Sequence, residues 1–252
     1  MSNNQTSIPQ GSWVLVTGAN GFVASHTIKQ FLERGYKVRG TVRDLKKSSW
    51  LIHDVFKNCA ERGAFEMVCV PDLGAKDAFD SVVKGMAAII HVATIGTFDP
   101  DASKVITPAV YGITSLLDAA SKEPLVKQFV YTSSLAACIA VVPGDNTHVG
   151  QDTWNEMVEK LAWAPPPYEP IRPFVVYAAS KVASEKALWK WAEDNKPHFT
   201  VNTIIPVNIF GEYLNQKHAE TEYAFVKLLY DGNTVALAKT VPASKSPPTR
   251  IV

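Results

Sequence analysis

Residues 14–25 read VLVTGANGFVAS, which is an apolar run, a glycine-rich turn and the beginning of a helical pattern. Glycine at positions 18 and 21 lets the backbone turn sharply and approach a ligand closely. An anion at this turn is favoured by the backbone N–H groups and the dipole of the following helix. An ordinary tight βα turn is the alternative. The position on the first strand predicts a dinucleotide phosphate site formed by Gly18, Gly21, Phe22 and Val23.

Short apolar runs alternate with segments of helical period on either side of this unit. The predicted strands are 13–17, 37–42, 65–70, 87–92, 128–132 and 200–205, and the predicted helices are 22–34, 45–58, 75–83, 103–121 and 177–193. Strands that are apolar on both faces and separated by helices form a parallel sheet covered on both sides. The sequence therefore predicts an α/β fold of the Rossmann type, with a doubly wound parallel sheet.

The chain divides into three parts by its pattern. We assign 1–12 to an N-terminal tail, 13–211 to a dinucleotide-binding domain, and 212–252 to a substrate-binding segment and tail. Periodicity fails over 142–173, where the run APPPY at 164–168 disfavours regular structure. We expect this stretch to be a long ordered loop beside the active site. A single further helix is expected at 222–230.

Composition excludes several classes of protein. The chain has 252 residues, 46% of them hydrophobic, and a formal net charge of +1, which suits a large soluble domain without a nucleic-acid partner. No run approaches the roughly 18 apolar residues that span a bilayer, and the N-terminus lacks a secretory signal. The three cysteines are widely separated, as is typical of free thiols in a reducing compartment, and the six histidines lack metal-ligand spacing. We expect a cytoplasmic protein without a metal site or a membrane segment.

The end of the second predicted strand indicates which cofactor binds. Residues 41–44 read TVRD. At this place an acidic side chain binds a free ribose 2′-hydroxyl, whereas an arginine pairs with a 2′-phosphate. Arg43 is the first charged residue after the strand, and its side chain could pair with a 2′-phosphate, which favours NADPH. Asp44 follows directly and leaves NADH open as the alternative.

A tyrosine and a lysine begin the helix that follows the fifth strand. Tyr177 and Lys181 are four residues apart and so share one helix face. A nearby ammonium stabilises a phenolate and brings the phenol into the range where it exchanges a proton with a carbonyl or alcohol oxygen. The fifth strand ends in a pair of serines at 133–134, at the sheet edge where a hydroxyl could orient that oxygen.

These motifs in this order resemble the extended short-chain dehydrogenase/reductase superfamily, of the NAD-dependent epimerase/dehydratase type. The nearest branch is that of the dihydroflavonol reductases and the fungal carbonyl (aldehyde) reductases. The likeness covers about 11–211 and is carried by VLVTGANGFVAS at 14–25, YKVRGTVR at 36–43, HVAT at 91–94, VYTSS at 130–134 and VYAASK at 176–181.

The resemblance implies roles for particular residues. It makes Ser134, with Ser133 as the alternative, the catalytic serine beside Tyr177 and Lys181. It also implies that four further residues lie against the cofactor, and these are Asp72, Leu73, Ala93 and Pro206.

The resemblance implies NADPH-dependent reduction of a ketone or aldehyde to an alcohol. Leu135 and Ala136 stand where dehydratases carry an Asp-Glu pair, which disfavours dehydration and leaves epimerisation as an alternative. Family members continue well beyond this length, so we expect a truncated C-terminal substrate-binding segment. A non-catalytic NAD(P)-binding protein is therefore a further alternative. Aromatic residues in 142–173 and after 205 suggest a hydrophobic carbonyl substrate, and a role in secondary metabolism would fit. The pattern assigns no oligomeric state.

Overall fold

Six parallel strands form one sheet in the computed structural model, which describes residues 7–140, 146–220 and 230–233. The strands are β1 (Trp13–Val16), β2 (Lys37–Val42), β3 (Phe65–Cys69), β4 (Met86–His91), β5 (Gln128–Thr132) and β6 (Thr200–Ile204). Their order across the sheet is β3-β2-β1-β4-β5-β6, and every neighbouring pair is parallel. The predicted doubly wound sheet is confirmed. The strand order reverses between β1 and β4, and ligands bind at the carboxyl ends of the strands beside such a point.

Helices cover both faces of the sheet. They are α1 (Phe22–Glu33), α2 (Lys57–Glu61), α3 (Ala102–Ser121), α4 (Glu156–Ala162) and α5 (Arg172–Asn195). Because side chains alternate along a strand, Val14 and Val16 of β1 pack on the face covered by α1 and α2, while Leu15 packs on the face covered by α3 and α5. A third apolar cluster joins α3, α4 and the first turns of α5.

Of the predicted helices in the first half of the chain, the one at 75–83 is wrong and the one at 45–58 is wrong in part. Residues 75–83 form turns, in which Asp77 has a φ of 56° that a helix does not accommodate. Phe79 and Val82 are nevertheless buried, and these apolar positions produced the helical pattern. The segment predicted as a helix at 45–58 begins with turns, continues as a π-helical stretch over Leu51–Val55, and passes into α2.

The predicted loop at 142–173 is also wrong in part, because it contains α4 and the beginning of α5. The prolines lie between the two helices, and Pro173 stands in the first turn of α5, where its missing N–H breaks no helical hydrogen bond. Arg172 is buried and fastens the two helices together by donating to the carbonyl oxygens of Leu161, Ala162 and Ala164 at 2.6, 2.6 and 2.7 Å. The predicted helix at 222–230 lies outside the described residues, apart from Tyr230.

No helix in the described ranges is both long and apolar enough to cross a membrane. In the same ranges, no cluster of three or more histidine, cysteine, aspartate or glutamate side chains has the arrangement of a metal site.

Candidate active site

The glycine-rich turn after β1 has the geometry of a phosphate-binding loop. Gly18 has a φ of +69°, and a Cβ at this position would lie 3.0 Å from the Cα of Ala93. The Gly21 N–H donates to the Gly18 carbonyl oxygen at 2.9 Å and leads into α1. No side chain of the described residues caps this helix, and the N-terminus of a helix favours an anion through its backbone N–H groups and its dipole. These features fit the phosphates of a dinucleotide.

Thr17 holds this turn against the end of β4. Its hydroxyl oxygen accepts hydrogen bonds from the N–H groups of Val92 and Ala93, each at 3.0 Å, and lies 2.8 Å from Nδ1 of His91. Burial lowers the pKa of His91 to about 3, so its ring is neutral at physiological pH. We did not single out Thr17 from the sequence, although a threonine directly before Gly18 was a visible signal.

The turn after β2 carries an excess of positive charge. The Asp44 carboxylate accepts a hydrogen bond from the Lys47 N–H at 3.0 Å, which lowers the pKa of this carboxyl. The Asp44 side chain therefore stabilises the turn in which it lies. Arg43 is exposed beside it, with Lys46 and Lys47 next along the turn. Sequence reasoning missed the two lysines, which add to the charge that Arg43 brings.

A narrow cavity lies between the carboxyl ends of β4 and β5 and the helices α3 and α5. Leu73, Ala93 and Lys181 all line it, so the structure brings these three predicted residues together. Asp72 precedes Leu73 at the surface, and its carboxylate accepts a hydrogen bond from the Gly74 N–H at 2.8 Å. The predicted cofactor contact by Asp72 would have to be made from this turn.

Lys181 lines this cavity and is buried, with 4% of its surface exposed. Its Nζ donates to the carbonyl oxygen of Thr132 at 2.9 Å and lies 5.2 Å from the ring centre of Tyr131. Burial lowers the pKa of Lys181 to about 8, and the charge of Glu185 opposes this effect. At neutral pH most of the population therefore carries an ammonium at this position.

Tyr177 lies one turn before Lys181 on the same face of α5. Its ring stacks on Phe98, with 5.6 Å between the ring centres, and lies 6.2 Å from the ring of Phe174. Phe98 has a φ of 48°, a left-handed conformation that non-glycine residues seldom adopt. Two aromatic side chains that the sequence analysis did not identify thus flank the phenol.

The two serines after β5 have different surroundings. The Ser133 hydroxyl is buried and donates to the Glu185 carboxylate. The Ser134 hydroxyl is half-buried and accepts a hydrogen bond from the Ala136 N–H at 3.2 Å. A hydroxyl that accepts a hydrogen bond keeps its own proton for donation. Ser134 is therefore the one of the pair that can donate to a substrate oxygen.

Pro206 lies directly beside this serine. The N–H of Leu135 donates to the Pro206 carbonyl oxygen at 3.0 Å, so the loop after β6 packs against the turn that Ser134 begins. The structure therefore gathers the predicted residues from β4, β5, α5 and the loop after β6 at one edge of the sheet.

A parallel sheet in the order β3-β2-β1-β4-β5-β6, with a glycine-rich turn after β1, is the architecture of the Rossmann-type dinucleotide-binding proteins. The chain belongs to the NAD dependent epimerase/dehydratase family, whose model matches residues 14–240. The family predicted from the sequence is confirmed.

Three relatives illustrate the similarity. The chain is 41% identical over 219 residues to the NAD-dependent epimerase/dehydratase terH of Aspergillus terreus, covering 87% of this chain and 64% of that protein. It is 42% identical over 206 residues to aldehyde reductase 2 of Sporidiobolus salmonicolor, covering 81% of this chain and 59% of that protein. The crystal structure of yeast methylglyoxal/isovaleraldehyde reductase Gre2 complexed with NADPH matches with a TM-score of 0.71 and 29% identity. The match covers 86% of this chain and 66% of that one. The chain thus spans just under two thirds of the length of these proteins.

Proposed function

We propose that this chain is an NADPH-dependent reductase that converts a ketone or an aldehyde to an alcohol. The observation that carries the proposal is the buried Lys181, one helical turn after Tyr177, whose Nζ donates to the carbonyl oxygen of Thr132, the last residue of the strand that Ser133 and Ser134 follow. Relatives named as reductases support it, including aldehyde reductase 2 and the ketoreductase adrE of Penicillium rubens, which is 38% identical over 231 residues.

NADPH, when bound, supplies the hydride for this reaction. The Ser134 hydroxyl donates a hydrogen bond to the carbonyl oxygen and orients it, and Tyr177 donates its phenolic proton to the same oxygen. The Lys181 ammonium stabilises the phenolate that remains on Tyr177. Because the Lys181 Nζ is fixed on the Thr132 carbonyl at 2.9 Å, its charge needs no rearrangement when the proton moves.

The preference for NADPH rests on the turn after β2. A 2′-phosphate carries negative charge, and Arg43, Lys46 and Lys47 offer three cations within five residues. The carboxylate of Asp44 is engaged with the Lys47 N–H. In the proposed complex the backbone of Gly18 and Gly21 and the first turn of α1 bind the pyrophosphate, while Asp72, Leu73, Ala93 and Pro206 line the rest of the cofactor site.

The substrate is proposed to be a hydrophobic carbonyl compound. Phe98 and Phe174 flank the phenol of Tyr177 and offer aromatic surface beside the reacting oxygen.

The three cysteines of the chain are free thiols, which supports a reducing compartment, and we propose the cytoplasm.

The test begins with binding and continues with turnover. Quenching of tryptophan fluorescence on titration with NADPH establishes whether the cofactor site is functional. The decrease in NADPH absorbance is then followed with a panel of aryl and alkyl ketones and aldehydes. We expect turnover by the wild type and a loss of at least about a hundredfold in Tyr177→Phe, because general acid catalysis contributes on that order. Binding of NADPH with no turnover that depends on Tyr177 would support a non-catalytic protein instead.

A further inference from the structure

Glu185 is a buried carboxylate that takes no part in the reaction proposed above. It lies on α5 one turn after Lys181, and 3% of its surface is exposed. Burying a carboxylate is costly unless hydrogen bonds and opposite charge compensate it. The Ser133 hydroxyl provides the hydrogen bond, and the Lys181 ammonium provides the opposite charge. The fold therefore buries a charged side chain beside the site, although an apolar side chain there would avoid the cost of desolvating a carboxylate.

The Ser133–Glu185 hydrogen bond fixes the backbone from which Ser134 projects. The Ser133 N–H also donates to the carbonyl oxygen of Ile204 at 2.8 Å. Ser133 is thus attached to α5 through its side chain and to β6 through its backbone. The orientation of the next residue, Ser134, depends on both attachments.

We infer that Glu185 is a positioning residue, which orients Ser134 by holding Ser133 and keeps Lys181 in the ammonium form by its negative charge. This inference rests on the proposed reductase function, because Ser134 and Lys181 act in that reaction. Glu185 itself touches neither substrate nor cofactor in this scheme.

Burial keeps three other titratable groups around the pair uncharged at neutral pH. On β4, burial lowers the pKa of His91 to about 3. On β5, burial raises the pKa of Tyr131, and in the turn after β5 burial also raises the pKa of Cys138. Tyr177, the proton donor of the proposed reaction, lies one turn before Lys181 on α5. Glu185 is therefore the negative charge that opposes the effect of burial on Lys181.

Removal of this charge has a defined consequence for Lys181. Without Glu185 the burial of the amine acts unopposed, so its pKa falls below the present value of about 8. Lys181 then loses its proton at a lower pH. A glutamine at position 185 can still accept the hydrogen bond from Ser133, so Glu185→Gln isolates the effect of charge.

The first measurement is the pH profile of kcat/KM for NADPH-dependent reduction. In Glu185→Gln we expect the alkaline limb to move to lower pH by about one pH unit, the size of effect that a neighbouring charge produces. Ser133→Ala should leave the alkaline limb in place and lower kcat, because it frees Ser134 without removing the charge. Glu193→Gln is the matched control, since Glu193 is exposed on the same helix and its profile should equal that of the wild type.

The second measurement needs no turnover. The pKa of Lys181 is about 8 in the folded state against 10.5 as its ordinary value, so the unfolded state binds more protons in this window. The free energy of unfolding from this group therefore rises with pH between the two values. In Glu185→Gln the rise should begin at a lower pH, and in a Lys181→Met background the same substitution should leave the shape of the curve unchanged.

The two measurements separate this inference from the proposed function. A wild type without turnover overturns the reductase, while the unfolding curves still test the pairing of Glu185 with Lys181. If Glu185→Gln has the wild-type alkaline limb and the wild-type unfolding curve, Glu185 does not control Lys181. If Ser133→Ala retains the full kcat, the hydrogen bond to Glu185 does not orient Ser134.

Discussion

The Thr17 hydroxyl oxygen lies 2.8 Å from Nδ1 of His91, and both side chains are buried where β1 and β4 end. The same oxygen accepts two backbone N–H groups, from Val92 and Ala93, so its own proton is directed to His91. This requires an unprotonated Nδ1, in agreement with the neutral ring. One hydroxyl thus fixes the position of Ala93 opposite Gly18.

The first prediction concerns this hydroxyl. Thr17→Val keeps the shape of the side chain but leaves two half-buried N–H groups and the buried Nδ1 of His91 without their partner. We expect a loss of at least about 2 kcal/mol in the free energy of unfolding, because an unsatisfied buried polar group costs about 1–3 kcal/mol. NADPH affinity should fall as well, since Ala93 and Gly18 lose their alignment. Urea unfolding and NADPH titration measure the two effects.

Thr27→Val is the matched control for Thr17→Val. The Thr27 hydroxyl donates at 2.9 Å to the Val23 carbonyl within α1, and that carbonyl keeps its helical environment after the change. This variant should stay within about 0.5 kcal/mol of the wild type. Equal losses in the two variants would contradict the role given to Thr17.

The second prediction separates two properties of Gly18, its backbone conformation and its contact with Ala93. Gly18→Ala places a side chain at a φ of +69° and puts its Cβ 3.0 Å from the Ala93 Cα. Gly63→Ala has nearly the same φ, +68°, with nothing within 4 Å. Both variants should lose about 1–2 kcal/mol in the free energy of unfolding because of φ. Gly18→Ala should lose more free energy of unfolding than Gly63→Ala, because its Cβ also meets Ala93. It alone of the two should bind NADPH more weakly, by at least about tenfold. Unchanged NADPH affinity in Gly18→Ala would contradict the assignment of this turn to the cofactor.

The third prediction concerns the choice between NADPH and NADH. Arg43→Ala should weaken NADPH by about 10- to 100-fold, the loss expected for a charge-assisted hydrogen bond, and change NADH affinity little. Tryptophan quenching with both cofactors gives the two dissociation constants. A parallel loss for both cofactors would show that Arg43 does not contact the 2′-phosphate.

Asp44→Asn provides the contrast at the same turn. An asparagine side-chain oxygen can still accept the Lys47 N–H, so the turn is retained while the negative charge is removed. NADH affinity should then stay within about twofold of the wild type, an energy difference below the value of a typical hydrogen bond. A large loss of NADH binding would mean that Asp44 binds the ribose.

Much of the sheet and of the site could be predicted because the pattern there is local. Apolar runs mark the strands, and a glycine-rich turn or a Y-x-x-x-K spacing is visible within a few residues. The turns at 75–83 were predicted as a helix because buried Phe79 and Val82 have a helical spacing, while the left-handed φ of Asp77 leaves no trace in that pattern. The short helix α4 was missed because its C-terminal end is held by Arg172, which lies ten residues after Ala162.

Long-range contacts explain what sequence reasoning missed within the site. The sequence alone left the choice between Ser133 and Ser134 to resemblance. In the structure the surroundings of the two hydroxyls differ, because that of Ser133 donates to Glu185, which lies 52 residues away along the chain. Thr17 and His91 are 74 residues apart, so no spacing rule could pair them.

The last prediction follows from the burial of His91. Its pKa is about 3 in the folded state against 6.5 as its ordinary value, so the unfolded state binds more protons between these two values. The free energy of unfolding should therefore decrease as the pH falls from 6.5 towards 3. His91→Gln can accept the Thr17 hydroxyl without titrating, and it should remove the part of this acid loss that belongs to His91. His53→Gln is the control, because His53 is exposed and the substitution should leave the acid loss unchanged. Urea unfolding of the three proteins at a series of pH values measures how the free energy of unfolding depends on pH. Parallel curves for His91→Gln and the wild type would contradict the prediction, because they would mean that His91 has the same pKa in the folded and the unfolded protein.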